Sequence, residues 1–186
     1  MLNIYLATKR TVNFTFLSTF AKKEKSQHLV NSVFDYVPFN LGRKIKYSEI
    51  APESKALEVR QAIELLNYSR VISPVYHTNA AGLPISAQKD EKMFKLFFID
   101  VGLVTAATNI PQEEFDVPHL LEGPLAEQFV SQHLNYHFNT QQHDELFYWL
   151  KDKSTMKAEV DFVLQYRNLI IPLEVKSGVL FKIKSL

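Results

Sequence analysis

The sequence has 186 residues, with 21 basic and 20 acidic side chains, no cysteine and only five glycines. Lacking cysteine, it can have no disulfide, thiol nucleophile or cysteine-based zinc site, which fits a reducing compartment. Gly42, Gly82, Gly102, Gly123 and Gly178 are too widely spaced for a P-loop or the dinucleotide fingerprint, so no nucleotide site of either kind is expected.

Apolar residues make up 46% of the chain and aromatic residues 12%, enough for one or two packed cores. No apolar run reaches the roughly 18 residues of a membrane span. Residues 1–100 carry 14 basic and 9 acidic groups, whereas 101–186 carry 7 and 11. The asymmetry suggests two modules, the first suited to a polyanion and the second gathering carboxylates.

Residues 1–23 form a lead-in. Val12 to Ala21 follows Lys9 and Arg10 and has a faint likeness to a signal peptide. It is broken by Asn13, Thr15, Ser18 and Thr19, however, and runs into Lys22-Lys23 without a small-residue cleavage pattern. A structured segment and a cytoplasmic protein are expected.

Residues 24–38 have the spacing of a helix, with Leu29, Val30, Val33, Phe34 and Val37 on one side and Pro38 at its end. Gly42 marks a turn, Ile45 and Tyr47 a short extended piece, and Ser48 to Ala51 one helical turn before Pro52. The clearest helix spans about 54–68, with Ser54 as N-cap and Val59, Ala62, Ile63 and Leu66 as its apolar stripe. Val71–Tyr76 and Phe94–Ile99 are predicted strands, and Asn79–Pro84 a loop between them. Three helices followed by a hairpin is the winged helix-turn-helix order, placed at 24–109.

That order allows DNA binding through the 54–68 helix, with Lys55 and Arg60 on it and Arg43, Lys44 and Lys46 beside it. The same helix exposes Glu58 and Glu64, which oppose phosphate. A winged helix that merely docks against another domain is the favoured alternative.

A short helix is predicted from Val101 to Thr108, a proline-containing linker at 109–118 and a helix over 121–135. In the last, Ala126, Phe129, Val130 and Leu134 are the expected buried stripe, with Glu127 at its edge. Glu145–Leu150, Ala158–Gln165 and Leu169–Lys176 are expected strands of a second module at 110–186.

Alternation puts Glu159, Asp161 and Val163 on one face of their strand, and Pro172, Glu174 and Lys176 on one face of the next. With Arg167-Asn168 as a two-residue turn, Asp161 faces Glu174 and Glu159 faces Lys176. Adjacent carboxylates repel unless a cation holds them ionised. Asp161 and Glu174 are therefore candidate Mg²⁺ ligands, with Lys176 positioned to stabilise phosphate charge or orient water. The alternative is a solvated outer face. Apolar runs around these charges instead suggest a central strand covered on both sides. His133, His137 and His143 have zinc-compatible spacing but are better read as packed or helix-end histidines, and Trp149 as core.

Phe94-Lys-Leu-Phe-Phe-Ile-Asp-Val-Gly-Leu103, Glu122-Gly-Pro-Leu-Ala-Glu-Gln-Phe-Val130, Phe147-Tyr-Trp149, Glu159-Val-Asp-Phe162 and Leu173-Glu-Val-Lys-Ser-Gly178 occur in that order. Together they resemble the C-terminal region of a large group of prokaryotic AAA-type ATPases. In that group a P-loop ATPase domain precedes a winged helix and a PD-(D/E)XK nuclease-like domain of unassigned function. The resemblance covers about 25–186. It implies a mixed α+β chain, a winged helix followed by a PD-(D/E)XK-like domain. It matches Asp161 and Glu174-x-Lys176 to the nuclease-like elements and Glu127 to the helical acid. It also implies an ATPase domain or another protein as partner, beside the DNA expected from the winged-helix order and the Mg²⁺ expected from the paired carboxylates. The resembling proteins continue past the E-x-K strand, so the second module is expected to be incomplete. Nuclease-like folds also serve as binding modules, and a non-catalytic docking or regulatory role is the alternative.

Overall fold

In the computed structural model, the structure describes residues 24–108, 122–139, 145–153 and 156–176. The lead-in, the 109–118 linker, His143 and Gly178 lie outside them.

The described residues form a mixed α+β fold. Helix α1 (Glu24–Tyr36) runs into a 3-10 turn at Val37–Phe39, which takes Pro38 in its first turn. There the absent N–H costs nothing. A one-turn helix α2 (Tyr47–Ile50) and helix α3 (Ala56–Tyr68) follow. Val59, Ala62, Ile63 and Leu66 of α3 are buried, as their spacing predicts. The N-cap is Lys55, not Ser54: its backbone N–H donates to the Glu58 carboxylate at 3.4 Å.

Strands β1 (Ile72–Thr78) and β2 (Lys89–Phe98) make the hairpin. β2 starts five residues before the predicted Phe94, since Thr78 pairs with Lys89 and His77 with Asp90 beyond a bulge. The polar Lys-Asp-Glu-Lys run hid this extension from a pattern sought in apolar residues. Helix α4 (Val101–Thr108) follows, its first turn held by the Asp100 carboxylate on the Gly102 N–H at 2.7 Å. Helix α5 (Glu122–Asn139) and strands β3 (Leu146–Lys153), β4 (Met156–Tyr166) and β5 (Leu169–Leu173) complete the order.

All five strands belong to one sheet in the order β2-β1-β3-β4-β5. β1 pairs with β2 antiparallel and with β3 parallel, so the hairpin of the first half is extended by the strands of the second. β4 and β5 pair in the expected register, from Tyr166 opposite Leu169 to Phe162 opposite Leu173. Arg167 adopts φ 54°, the left-handed conformation that two-residue hairpin turns need at a central position.

Of the two strands expected to be central and covered, β4 is central, between β3 and β5, with Phe162 and Val163 buried in separate clusters, and β5 is not. β5 is the edge of the sheet among the described residues, and its Leu169 and Ile171 are exposed. It ends at Leu173, before Glu174 and Lys176.

The core gathers on both faces. Phe34 of α1 meets Phe98 edge-on with ring centroids 5.2 Å apart, and Tyr47 lies 4.8 Å from Phe94. Phe97, on the opposite face of β2 by alternation, meets Phe162 of β4 at 5.9 Å. A bulge in the β3–β4 ladder lies between Phe147–Val163 and Trp149–Val160. It breaks the alternation predicted for β4. Val160 and Val163 pack together with Phe147, Trp149 and Ile85, while Phe162 joins Tyr148 in the main core. Trp149 is thus part of an apolar cluster, as expected.

Candidate functional site

Lys95 stands alone as a charge in the buried run Phe94-Lys-Leu-Phe-Phe98 of β2 and is 1% exposed. Alternation aims it to the same face as Phe97, toward α5 and β4. Its Nζ lies 2.7 Å from Glu159 Oε1, 3.3 Å from Glu127 Oε2 and 3.8 Å from Asp161 Oδ1. It also sits 5.3 Å from the centroid of the Tyr148 ring. Three carboxylates and one ammonium therefore meet at a point shared by β2, α5 and β4.

The β4 bulge brings Glu159 and Asp161 to this point on the side of Phe162, a re-aiming that bulges commonly perform. Asp161 is held further by its Oδ2, which accepts the Val175 N–H at 2.8 Å. Glu127 is pressed against the turn after α1. A Cβ placed on Gly42, at φ +69°, would come within 2.8 Å of Glu127 Oε2. Gly42 is thus required both for its left-handed backbone and for the room it leaves.

Burial, the strongest influence on Lys95, pulls its pKa down, but Glu127, Glu159 and Asp161 together outweigh it and raise it above the ordinary value. Burial pushes the Glu127 carboxyl up, Lys95 pulls it down less strongly, and Asp161 and Glu159 push it up further. The carboxylates thus favour the charged form of Lys95, while burial and the neighbouring acids hold the Glu127 carboxyl above its ordinary value. The Tyr148 hydroxyl is buried without a hydrogen-bond partner among the described residues. Its pKa is raised chiefly by burial and next by Glu159.

Helix α5 is docked by polar groups. The Gln128 amide accepts from Phe98 N at 2.9 Å and donates to Phe98 O at 2.7 Å, as a neighbouring strand would. Gln132 accepts from Val101 N at 2.8 Å, and Asn135 accepts from the Ser73 hydroxyl at 3.0 Å. Gln128, Ser131 and Asn135 are the buried positions, and Phe129 of the predicted apolar stripe is exposed. Ala126, Val130 and Leu134 are only half-buried. The stripe is shifted because α5 meets backbone groups of β2 and α4 that need partners.

The sequence-predicted residues divide accordingly. Glu127 and Asp161 converge on Lys95. Glu174 and Lys176 are exposed, and among the described residues no hydrogen bond or ion pair joins either to the cluster. Arg43, Lys44, Lys46 and Lys55 are exposed around Ile45 and the start of α3. Ile45 bridges to β2 through its N–H on Phe94 O at 2.8 Å. Arg60 is bound by Glu64 at 2.7 Å and Glu91 at 2.6 Å. His133 is exposed and meets the Phe129 ring edge-on, with centroids 4.3 Å apart. Lys95 and Gln128 were missed. A lone lysine in a strand of Phe and Leu was the available signal for the first, and nothing in the sequence flagged the second.

The implied Mg²⁺ does not fit the residues as they stand. An ammonium already sits among Glu127, Glu159 and Asp161, one Asp161 oxygen is taken by a backbone N–H, and Glu174 is not gathered. No group of three His, Cys, Asp or Glu among the described residues has metal-holding geometry.

The site is thus a buried lysine–carboxylate centre, in a mixed α+β chain whose sheet is assembled from both halves. The chain belongs to the family described as "Domain of unknown function (DUF8612)", whose model matches residues 17–114, more than half of it. A second family model, "Domain of unknown function (DUF4143)", matches residues 122–186. Neither a curated protein nor a solved structure matches the chain. No helix among the described residues is long and apolar enough to cross a membrane.

Proposed function

We propose that the chain is a non-catalytic docking or regulatory region that works with an AAA-type ATPase domain, in the cytoplasm of a prokaryote. The ordered motifs from Phe94–Leu103 to Leu173–Gly178, which resemble the C-terminal region of AAA-type ATPases, support that partner. The observation that carries the docking role is the anchoring of the wing. Ile85 of the wing packs with Phe147 and Val163, its N–H donates to Gln165 at 3.2 Å, and its carbonyl accepts from Thr78 at 2.9 Å. A wing fastened to β3 and β4 is unsuited to reach into a DNA groove. Arg60, the central base of α3, is already paired with two carboxylates. Arg43, Lys44, Lys46 and Lys55 then serve as a basic surface for an acidic face of the partner.

The test adds the purified chain to a P-loop ATPase domain of the AAA type and measures binding and ATP turnover. Saturable binding weakened by Arg43→Glu/Lys44→Glu is expected, with duplex DNA bound only weakly and without sequence preference. Tight, sequence-selective DNA binding, lost in the same charge reversal and steeply salt-dependent, would instead establish a DNA reader.

The alternative, a phosphodiesterase at Asp161, Glu174 and Lys176 assisted by Glu127, keeps only the meeting of Glu127 and Asp161, since the lysine beside them is Lys95 and Glu174 and Lys176 lie outside the cluster. Plasmid cleavage by the pure chain, abolished in Asp161→Asn, would establish it and overturn the docking role.

A further inference from the structure

We infer that Lys95 is a built-in counter-ion that takes the place of a divalent cation among Glu127, Glu159 and Asp161. The wild-type chain accordingly excludes hard divalent metals from this centre, and removing the ammonium lets the three acids, which lack metal-holding geometry as they stand, draw together on one. The inference goes beyond the docking role and stands or falls separately from it.

Three features carry it. The first is geometry. One Nζ lies within 4 Å of carboxylate oxygens from α5 and β4, two of them on β4, and the lysine itself comes from β2. A single cation thus organises acids from separate elements, as a metal ion does with hard oxygen ligands. The second is charge. Three acids face one ammonium, so deleting the ammonium leaves uncompensated carboxylates that must take up protons or another cation. The third is the fully buried Tyr148, whose ring faces Nζ and whose hydroxyl has no partner among the described residues. Its ring closes one side of the ammonium, so the centre offers Nζ no further charged group there. Lys176 is exposed at the end of the chain's described residues, so it is Lys95 that fills the centre.

The probe is Mn²⁺, followed by calorimetry and by the paramagnetic signal of the free ion, on the full chain. Lys95→Ala is expected to bind one equivalent about tenfold or more tighter than wild type. That gain is expected to vanish in Lys95→Ala/Asp161→Asn. A wild-type chain that binds Mn²⁺ as tightly as Lys95→Ala overturns the inference, and so does a folded Lys95→Ala that gains no binding. A second measurement on the wild type needs no variant to fold. Acetylation of the Lys95 amine, read by mass spectrometry, is expected to be far slower than that of the exposed Lys46 and unaltered by added Mn²⁺. Acceleration by Mn²⁺ would mean that the metal displaces the ammonium, which also overturns the inference. These outcomes are independent of ATPase binding, so the docking role and the counter-ion role fail by different results.

Discussion

Arg60 on α3 and Lys95 on β2 are both cations held by more than one carboxylate. Their closest contacts are nearly equal, 2.6 Å to Glu91 for Arg60 and 2.7 Å to Glu159 for Lys95. What separates them is water: the Arg60 side chain is 40% exposed and that of Lys95 1%. Around Arg60, solvent and salt screen the attraction, and the open ion pair contributes little. Around Lys95 the ammonium itself is shut from water and Glu127 and Asp161 are partly buried, although Glu159 still reaches solvent. There, each buried charge is costly and each lost partner leaves the others uncompensated. Distance alone is therefore a poor guide to which charges hold this molecule together.

The sharpest way to break the comparison is to remove each cation in turn. Lys95→Ala is expected to destabilise the chain by about 1–3 kcal/mol in urea unfolding, because the partly buried Glu127 and Asp161 lose their partner while the more exposed Glu159 is left to solvent. Replacing Lys95 and Glu127 together by Met and Leu is expected to recover part of that loss, since an apolar pair carries no desolvation cost. A Lys95→Ala chain as stable as wild type would show that water reaches the centre and screens it as at Arg60.

Gln128 extends the contrast to neutral groups. Gln128→Ala would strip Phe98 of both hydrogen bonds at a buried edge of β2, at a cost of about 1–3 kcal/mol. Hydrogen exchange at the Phe98 amide is expected to accelerate in the same variant. Unchanged protection there would mean that another group takes over the edge.

Titration separates buried from exposed acids. The pKa of Glu127 is raised above 4.5, so between 4.5 and its folded value the folded chain holds a proton that the unfolded chain has released. This contribution is fully present below 4.5 and is lost as pH rises through the folded value. Glu127→Gln should therefore gain stability relative to wild type as pH increases from 4.5 toward neutrality, and parallel pH curves for the two chains would count against this. At the alkaline end, Lys95, Tyr76 and Tyr148 all have raised values. Their contributions are present below their ordinary values of 10.0 for tyrosine and 10.5 for lysine, and fade as pH climbs through the folded ones.

Which of these features was legible in the sequence depended on how local their cause is. The α3 stripe of Val59, Ala62, Ile63 and Leu66 follows from spacing, and the β4–β5 register follows from a two-residue turn at Arg167-Asn168. Both are fixed by neighbours in the chain. Glu127 at the edge of a helical stripe and Asp161 in a strand of alternating charges are also legible, although the Glu174 expected opposite Asp161 is not in the cluster. The rest depends on encounters between distant elements. Gln128 is buried because α5 meets Phe98, 30 residues away in sequence. Phe129 is exposed for the same reason, although its apolar side chain predicts the opposite. The β4 bulge, which turns Phe162 away from the face predicted by alternation, arises only in the ladder with β3. Lys95 stands in the Phe94–Leu103 motif, yet its partners follow only from the meeting of β2, α5 and β4 at one face.

The smallest expected effect is the most discriminating for function. Arg60→Ala removes the contacts to Glu64 and Glu91, yet exposed pairs of this kind should leave stability within about 0.5 kcal/mol of wild type. Its consequence for binding depends on what α3 touches. If α3 reads DNA, Arg60 must leave its two carboxylates to meet phosphate, and Arg60→Ala would lower both DNA affinity and the salt slope by about one counterion. If the chain docks on a protein, Arg60→Ala should leave DNA binding unchanged while Arg43→Glu/Lys44→Glu weakens the ATPase-domain contact. The carboxylates themselves sharpen the point. Glu91→Gln frees one side of Arg60 without altering the helix, so a rise in DNA affinity there would reveal a base held in reserve by its own ion pairs. No rise would mean that Arg60 belongs to the hairpin–helix packing alone, since Glu91 lies on β2 and the pair ties α3 to the wing.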